Sequence, residues 1–130
     1  MKNNPLPKPT ESELDILQIL WEFGPSTVRF VNDHLNKLKE TGYTTTLKIM
    51  QIMSEKGLVG RELSGKTHIY EAIAKEEATQ IQLLDRFVDK VFKGSATKLM
   101  LQALGNKKSS PEEIQQIKKF LEDLENNKEL

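Results

Sequence analysis

The chain has no cysteine. That removes disulfides, thiolate metal sites and cysteine redox sensing, and it agrees with a reducing compartment. Nor has it any excess of charge: 19 Lys and Arg stand against 19 Asp and Glu in 130 residues, a formal net charge of zero. No global basic field therefore draws the molecule to nucleic acid. No apolar run approaches the roughly 20 residues that cross a bilayer, and the first residues lack the apolar core of a signal peptide. A soluble, cytoplasmic protein without membrane insertion is expected. Histidine is scarce, with only His34 and His68, on different predicted elements. A metal centre or a general-base site would need further partners. Glu76-Glu77 and Glu112-Glu113 sit at predicted helix starts, where carboxylates complement the helix dipole. Gly24, Gly42, Gly57, Gly60 and Gly65 are scattered through turns and form no phosphate-cradling loop. Met50, Met53 and Met100 are core fillers. No metal, no cofactor and no enzymatic activity are expected.

What is present is helical patterning, in a chain long enough for one compact domain or two small ones. Its centre is the stretch Gly42 to Val59. Thr44 is a candidate N-cap, its hydroxyl accepting a free N–H of the first turn. Gly57 offers the left-handed residue that ends a helix. At about 100° per residue, Thr46, Met50 and Met53 gather on one side, flanked by Leu47 and Ile49, while Thr44, Lys48, Gln51 and Glu55 gather on the other. One face belongs in a core. The other carries a cation, an amide and hydroxyls able to meet phosphates and base edges in a major groove. An ordinary surface helix has the same pattern, so its neighbours decide.

Residues 1–9 are proline-rich and read as a loose arm. Helix 1 opens at Thr10, with Glu13 completing a capping box. Leu14, Leu17, Leu20 and Trp21 make one apolar face, and Ile16, Ile19 and Phe23 a second. A helix apolar nearly all round needs burial on two sides, against its own core and against either the C-terminal half or the wing. Gly24-Pro25-Ser26 breaks the chain. Helix 2 is predicted from about Thr27 to Lys39, with Val28, Val31, Leu35 and Leu38 spaced 3, 4, 3. Glu40-Thr41-Gly42 turns into helix 3, completing a helix-turn-helix pattern. The period then changes. Leu58–Leu63, Ser64-Gly65-Lys66 and Thr67–Ile73 read as a β-hairpin with a glycine turn, a wing that must lean on the helices because an isolated hairpin is marginal. Residues 41–70 hold Lys48, Lys56, Arg61 and Lys66 against Glu55 and Glu62, a local net of +2, plus His68. The basic footprint is modest and local. Arg61, Lys66 and His68 near the wing tip are placed to meet a phosphate backbone, as is Arg29, though tip charges often only solubilise.

From Ala74 the pattern is helical. Helix 4 spans about Lys75–Phe92, with Ala78, Ile81, Leu84, Val88 and Val91 in a stripe. Helix 5 spans about Ala96–Leu104 and carries Leu99, Met100, Leu101 and Leu104. Gly105 to Lys108 reads as a loop. Ser110-Pro111-Glu112-Glu113 is a strong helix start. Helix 6 carries Ile114, Ile117, Leu121 and Leu124, with Phe120 beside them. Three such helices make a poor independent core. Their stripes either cover the winged helix within one chain or pair with a second copy. A symmetric dimer is the economical solution, through Ile81, Leu84, Val88, Val91, Leu99, Leu101, Leu104, Ile117, Leu121 and Leu124. The expected fold is mainly α: a winged helix-turn-helix domain over 10–73, then an all-helical dimerisation region over 74–130.

Glu13-Leu14-Asp15-Ile16-Leu17 through Leu20-Trp21, then Tyr43-Thr44-Thr45 with Leu47, and Glu55-Lys56-Gly57-Leu58-Val59, resemble the penicillinase-repressor (BlaI/MecI/CopY) family. The likeness is good over residues 10–73 and looser over the C-terminus, where Gly94 and Leu99-Met100-Leu101 fall in matching places. It implies a bacterial, dimeric winged-helix repressor on a pseudo-palindromic double-stranded DNA operator, controlling resistance or metal-homeostasis genes. It also implies a membrane sensor protease system that relieves repression by cleavage in the C-terminal region. Thr44, Thr45 and Lys48 match the DNA-contacting start of the family's recognition helix, and Gln51 sits one turn on. Three positions depart. Ile52 stands where arginine is common, so the position either gives up a phosphate partner or meets a thymine methyl in its place. Thr46 replaces a core valine, and its hydroxyl needs a backbone partner. Gln102-Ala103 stands near an asparagine–aromatic cleavage point, which puts cleavage there in doubt. With no cysteine pairs, copper sensing through thiolates is excluded. A winged helix that has lost DNA binding and serves protein interaction is the alternative, favoured by net neutrality and by Ile52.

Overall fold

Helix α1 (Glu11–Phe23) begins where Thr10 and Glu13 close on each other. The Glu13 amide donates to Thr10 Oγ1 at 3.1 Å and the Thr10 amide to Glu13 Oε1 at 2.9 Å, which satisfies two donors that a helix start leaves free. The structure is a computed structural model, and it describes residues 6–106 and 108–127. After α1 come α2 (Val28–Leu35), α3 (Tyr43–Lys56), β1 (Val59–Ser64), β2 (Thr67–Ala72), α4 (Glu76–Phe92), α5 (Ala96–Asn106) and α6 (Pro111–Asn126). Among the described residues no helix is long and apolar enough to cross a membrane.

The core of the first half joins both faces of α1 to α2, α3 and the hairpin. Ile16, Leu17, Ile19 and Leu20 meet Val28, Val31 and Leu35, then Met50 and Met53, then Leu58, Val59, Tyr70 and Ala74, all buried. Each such side chain contributes roughly 1.5–3 kcal/mol relative to exposure. Trp21, on the first face of α1, is tied to the segment that follows the hairpin: its Nε1 donates to the Ala74 carbonyl at 2.8 Å. Phe23 stays exposed and stacks beside Phe30 and His34, with ring centroids 5.3 and 4.5 Å away.

In the first half of the chain two helix ends differ from the expectation. Helix α2 stops at Leu35 instead of Lys39, and Leu38 is 72% exposed rather than part of the apolar stripe. The cause is Asn36: its Nδ2 donates to the carbonyls of Asn32 and Thr41, and its Oδ1 accepts from the Thr41 amide. Those bonds turn the chain before another helical turn can form. Helix α3 begins two residues earlier than a Thr44 cap allows. Gly42 is the N-cap, without a side-chain cap bond, and Thr44 lies inside the first turn. The turn is held by the buried Asn32 instead, whose Nδ2 donates to the Thr41 carbonyl at 3.0 Å and to Thr46 Oγ1 at 2.8 Å. The Thr46 hydroxyl in turn donates to the Gly42 carbonyl at 3.3 Å, the backbone partner that its burial demands. Asn32→Ala is expected to cost about 1–3 kcal/mol of stability by removing these bonds. Urea unfolding measures it, and an unchanged midpoint would show that the network does not fix the α2–α3 turn.

The wing pairs β1 with β2 antiparallel from Val59↔Ala72 to Ser64↔Thr67, leaving Gly65-Lys66 as a two-residue turn with Gly65 at φ +64°. Glycine at the first turn position is what a II′ hairpin needs. Ser26 exchanges both backbone bonds with Tyr70, at 2.9 and 2.8 Å. The hairpin is thereby fastened to the start of α2, which answers its marginal stability alone.

The predicted arm is partly anchored. Residues 1–5 lie outside the described residues, but Pro9 is buried and the Leu6 carbonyl accepts from Gln82 Nε2 at 2.8 Å. The chain divides into two units, Met1–Leu84 and Asp85–Leu130, and α4 runs through the division. In the second unit α5 continues to Asn106, past the expected stop, so Gly105 and Asn106 are helical; Lys107, read as loop, lies outside the described residues. Helix α6 starts with the predicted capping box of Ser110 and Glu113 and with Pro111 in its first turn. Helices α5 and α6 contribute no buried residue. Of the proposed dimerisation residues, Ile81, Leu84, Val91, Leu101, Leu104, Leu121 and Leu124 are exposed, Leu99 and Ile117 are half-buried, and Val88 is buried. An apolar hollow of about 300 Å³ lies between Met100, Ala103 and Leu104 of α5 and Ile117 and Phe120 of α6.

Candidate nucleic-acid interface

Helical geometry sorts α3 into a rear and a front. With Lys48 at zero, Thr44 falls at about −40°, Gln51 at about −60°, Glu55 at about −20°, Ile52 at about +40° and Thr45 at about +60°. All six are exposed. Thr46, Met50 and Met53 lie on the opposite side and are fully buried. The rear row holds the helix to the core, and the front row is left to water.

The flanks of that row differ in charge. On one side a groove of about 570 Å³ opens between α3 and the wing. Its walls carry Arg29, Tyr43 and Gln51 from the helices and Arg61, Lys66 and His68 from the wing, above a floor that includes Leu47 and Tyr70. On the other side Thr45 and Ile49 border a hollow of about 390 Å³ whose charged lining is Glu11, Asp15 and Glu40 against the single cation Lys39. A polyanion lying on α3 is attracted towards the wing side and repelled from the other.

Two of the groove's guanidinium groups have partners within the protein. The Arg29 guanidinium lies 5.1 Å from the centroid of the Tyr43 ring, a cation–π distance. Arg61 Nη1 donates to the buried Tyr70 hydroxyl across a long 3.4 Å. Each arginine is thus restrained before any partner arrives. Lys56 behaves otherwise. Counted with the local cations in the sequence, it turns inward and meets the buried Glu13 carboxylate at 2.7 Å. It locks the end of α3 to the start of α1 and is withdrawn from the front.

The structure brings Thr44, Thr45, Lys48 and Gln51 together on the front row, and Arg29, Arg61 and Lys66 together around the adjoining groove. Sequence reasoning missed Tyr43 as a shelf for Arg29, since a contact between two helices leaves no trace in spacing. It also missed the Arg61–Tyr70 pair, which spacing could have supplied: a two-residue turn at Gly65-Lys66 places Arg61 opposite Tyr70. Among the described residues no three His, Asp or Glu side chains cluster so as to hold a metal ion.

The sequence profile of the penicillinase repressor family matches residues 9–123. The chain belongs to that family. It is similar to the penicillinase repressor of Bacillus licheniformis, 22% identical over 124 residues that span 95% of this chain and 96% of the relative. It is similar also to the methicillin resistance regulatory protein MecI of Staphylococcus aureus strain N315, 20% identical over 112 residues, 86% of this chain and 91% of that one. Among solved structures it resembles the DNA-binding domain of the repressor BlaI, determined in solution. The TM-score is 0.51 at 18% identity, over 57% of this chain and 90% of that domain. The likeness establishes the winged-helix fold. The family assignment rests on a match that runs from the arm through α1 to α6, so it takes in the helical second half as well.

Proposed function

We propose that the chain is a homodimeric, sequence-specific DNA-binding transcriptional repressor. The observation that carries this reading is the front row of α3, polar and exposed directly behind a buried rear row, beside a groove walled by Arg29, Arg61 and Lys66. Residues 10–73 act as the DNA-binding domain and 74–130 as the dimerisation region. Each protomer lays α3 in a major groove of a pseudo-palindromic operator, with half-sites about 34 Å apart or a multiple of that. Thr44, Thr45, Lys48 and Gln51 address base edges, and Arg29, Arg61 and Lys66 address phosphates. The exposed apolar stripes of α4, α5 and α6 support pairing with a second copy, because an isolated chain would leave them in water. A membrane sensor protease system is the upstream partner. Gln102 and Ala103 lie inside α5, so cleavage between them requires that helix to open first.

Lys48→Ala tests the reading. Loss of a base contact is expected to weaken operator binding by roughly 1–3 kcal/mol and to relax specificity at one position. Loss of a phosphate contact would instead weaken all sequences alike and lower the salt slope by about one. Gel shifts at two salt concentrations, on operator and on random duplex, separate the cases. Wild-type protein that ignores duplex DNA even at low salt would replace this reading with that of an interaction module.

A further inference from the structure

Ile52 is the apolar member of the front row of α3 and is 37% exposed. Its position on the helix does not direct it at the core. The partly buried hydrophobics of α3 that pack on the core are Leu47 and Ile49, about 100° either side of Lys48, whereas Ile52 lies only about 40° from Lys48, between it and Thr45. Its neighbours on the row are a cation, an amide, two hydroxyls and a carboxylate. A branched hydrocarbon in that setting is poorly hydrated before binding and has nothing to offer a phosphate.

Resting on the repressor reading, we infer that Ile52 is a specificity-determining residue that reads the C5-methyl group of a thymine. The floor of the major groove presents one apolar group, and it is that methyl. Position agrees with the assignment. Along α3 the distance from Lys48 to Ile52 is about 6 Å and from Thr44 to Ile52 about 12 Å. Base pairs rise by about 3.4 Å, so the row covers three to four of them, and Ile52 addresses a pair about two steps from the one beneath Lys48. Discrimination comes from both directions. A thymine methyl is covered by hydrocarbon and leaves water. A guanine or cytosine edge there loses water and meets no hydrogen-bonding partner, which is unfavourable. Lys48 and Ile52, adjacent on the row, therefore favour different base pairs, and the half-site holds an A·T pair at a fixed offset from the position that Lys48 reads.

The test uses the full chain. A selection from random duplexes gives the preferred site, and each thymine in one half-site is then replaced in turn by deoxyuridine, which lacks only the methyl group. For the wild type, one replacement is expected to weaken binding about four-fold, the worth of one buried methyl. Ile52→Val should keep that sensitivity. Ile52→Ala should lose it, binding the thymine and deoxyuridine sites within two-fold of each other, while still unfolding in one cooperative transition above the temperature of the binding assay. Sensitivity that persists in Ile52→Ala, or wild-type binding indifferent to every replacement, overturns the inference while leaving the repressor reading in place. Failure of the selection to enrich any sequence overturns both.

Discussion

Replacing Leu121 and Leu124 together by glutamate is expected to leave the protein monomeric and to weaken its binding to a full operator by roughly 10²–10⁴-fold. Both leucines face solvent in the single chain, at 47% and 52% exposure. They lie on α6, which buries no side chain of its own, so the fold of one chain has little to lose from the change. An interface of two copies has much to lose, since pairing would strip water from four carboxylates without giving them partners. The large effect on operator binding is a matter of effective concentration. A dimer that has placed one α3 holds the second near its half-site, and separate monomers must each bind independently. Sedimentation equilibrium measures the first effect, and titration of full and half operators the second. Half-site affinity should be unchanged, which distinguishes lost pairing from damage to the winged helix. A double variant that remains dimeric would place the interface elsewhere, and one that is monomeric yet binds the full operator as tightly as wild type would show that pairing does not set affinity.

What was legible in the sequence was what local chemistry decides. The cap of α1 depends on Thr10 and Glu13, and the cap of α6 on Ser110, Pro111 and Glu113. These residues are neighbours in the chain, and the distant group that does meet one of them, Lys56, takes the other oxygen of Glu13 and leaves the cap bond in place. The division of α3 into a buried Thr46–Met50–Met53 side and an exposed Lys48–Gln51 side followed from helical period alone. The hairpin and its glycine turn followed from the change of period after Gly57. What was not legible depended on distant partners. Thr44 has the right chemistry for an N-cap, but Asn32 and Asn36 reach across from α2 to hold Thr41 and Thr46, and the helix starts earlier. The same asparagines end α2 before Leu38, so a stripe spaced 3, 4, 3 was broken by side-chain hydrogen bonds that spacing does not record. Lys56 counted as a cation for a partner until Glu13, 43 residues away, claimed it. In the candidate interface the row on α3 was foreseeable, whereas the restraint of Arg29 by Tyr43 needed the relative placement of two helices.

Met50→Ala is expected to destabilise the winged-helix half by about 2–5 kcal/mol, the largest loss of stability foreseen for a single substitution here. Met50 is fully buried, on the side of α3 that packs against the other core elements. Truncation removes its contacts and leaves a cavity that a close-packed interior fills only in part. Against a total stability of 5–15 kcal/mol for an ordinary domain, such a loss is severe. In a domain of this size each kcal/mol shifts the midpoint by about 4–8 °C, so melting should fall by at least about 8 °C. The informative comparison is with Lys48→Ala on the opposite side of the same helix. Lys48 is exposed, and its loss should reduce operator affinity while leaving the melting temperature within about 4 °C, as is usual for surface substitutions. Met50→Ala should do the reverse when binding is measured well below its melting point, because the front row keeps its side chains. Calorimetry and titration on the two variants therefore test the division of labour on α3 directly. A Met50→Ala protein with wild-type melting would mean that the rear row does not hold the helix. A Lys48→Ala protein that melts early would mean that the front row is structural and that the helix is not presented to DNA as proposed.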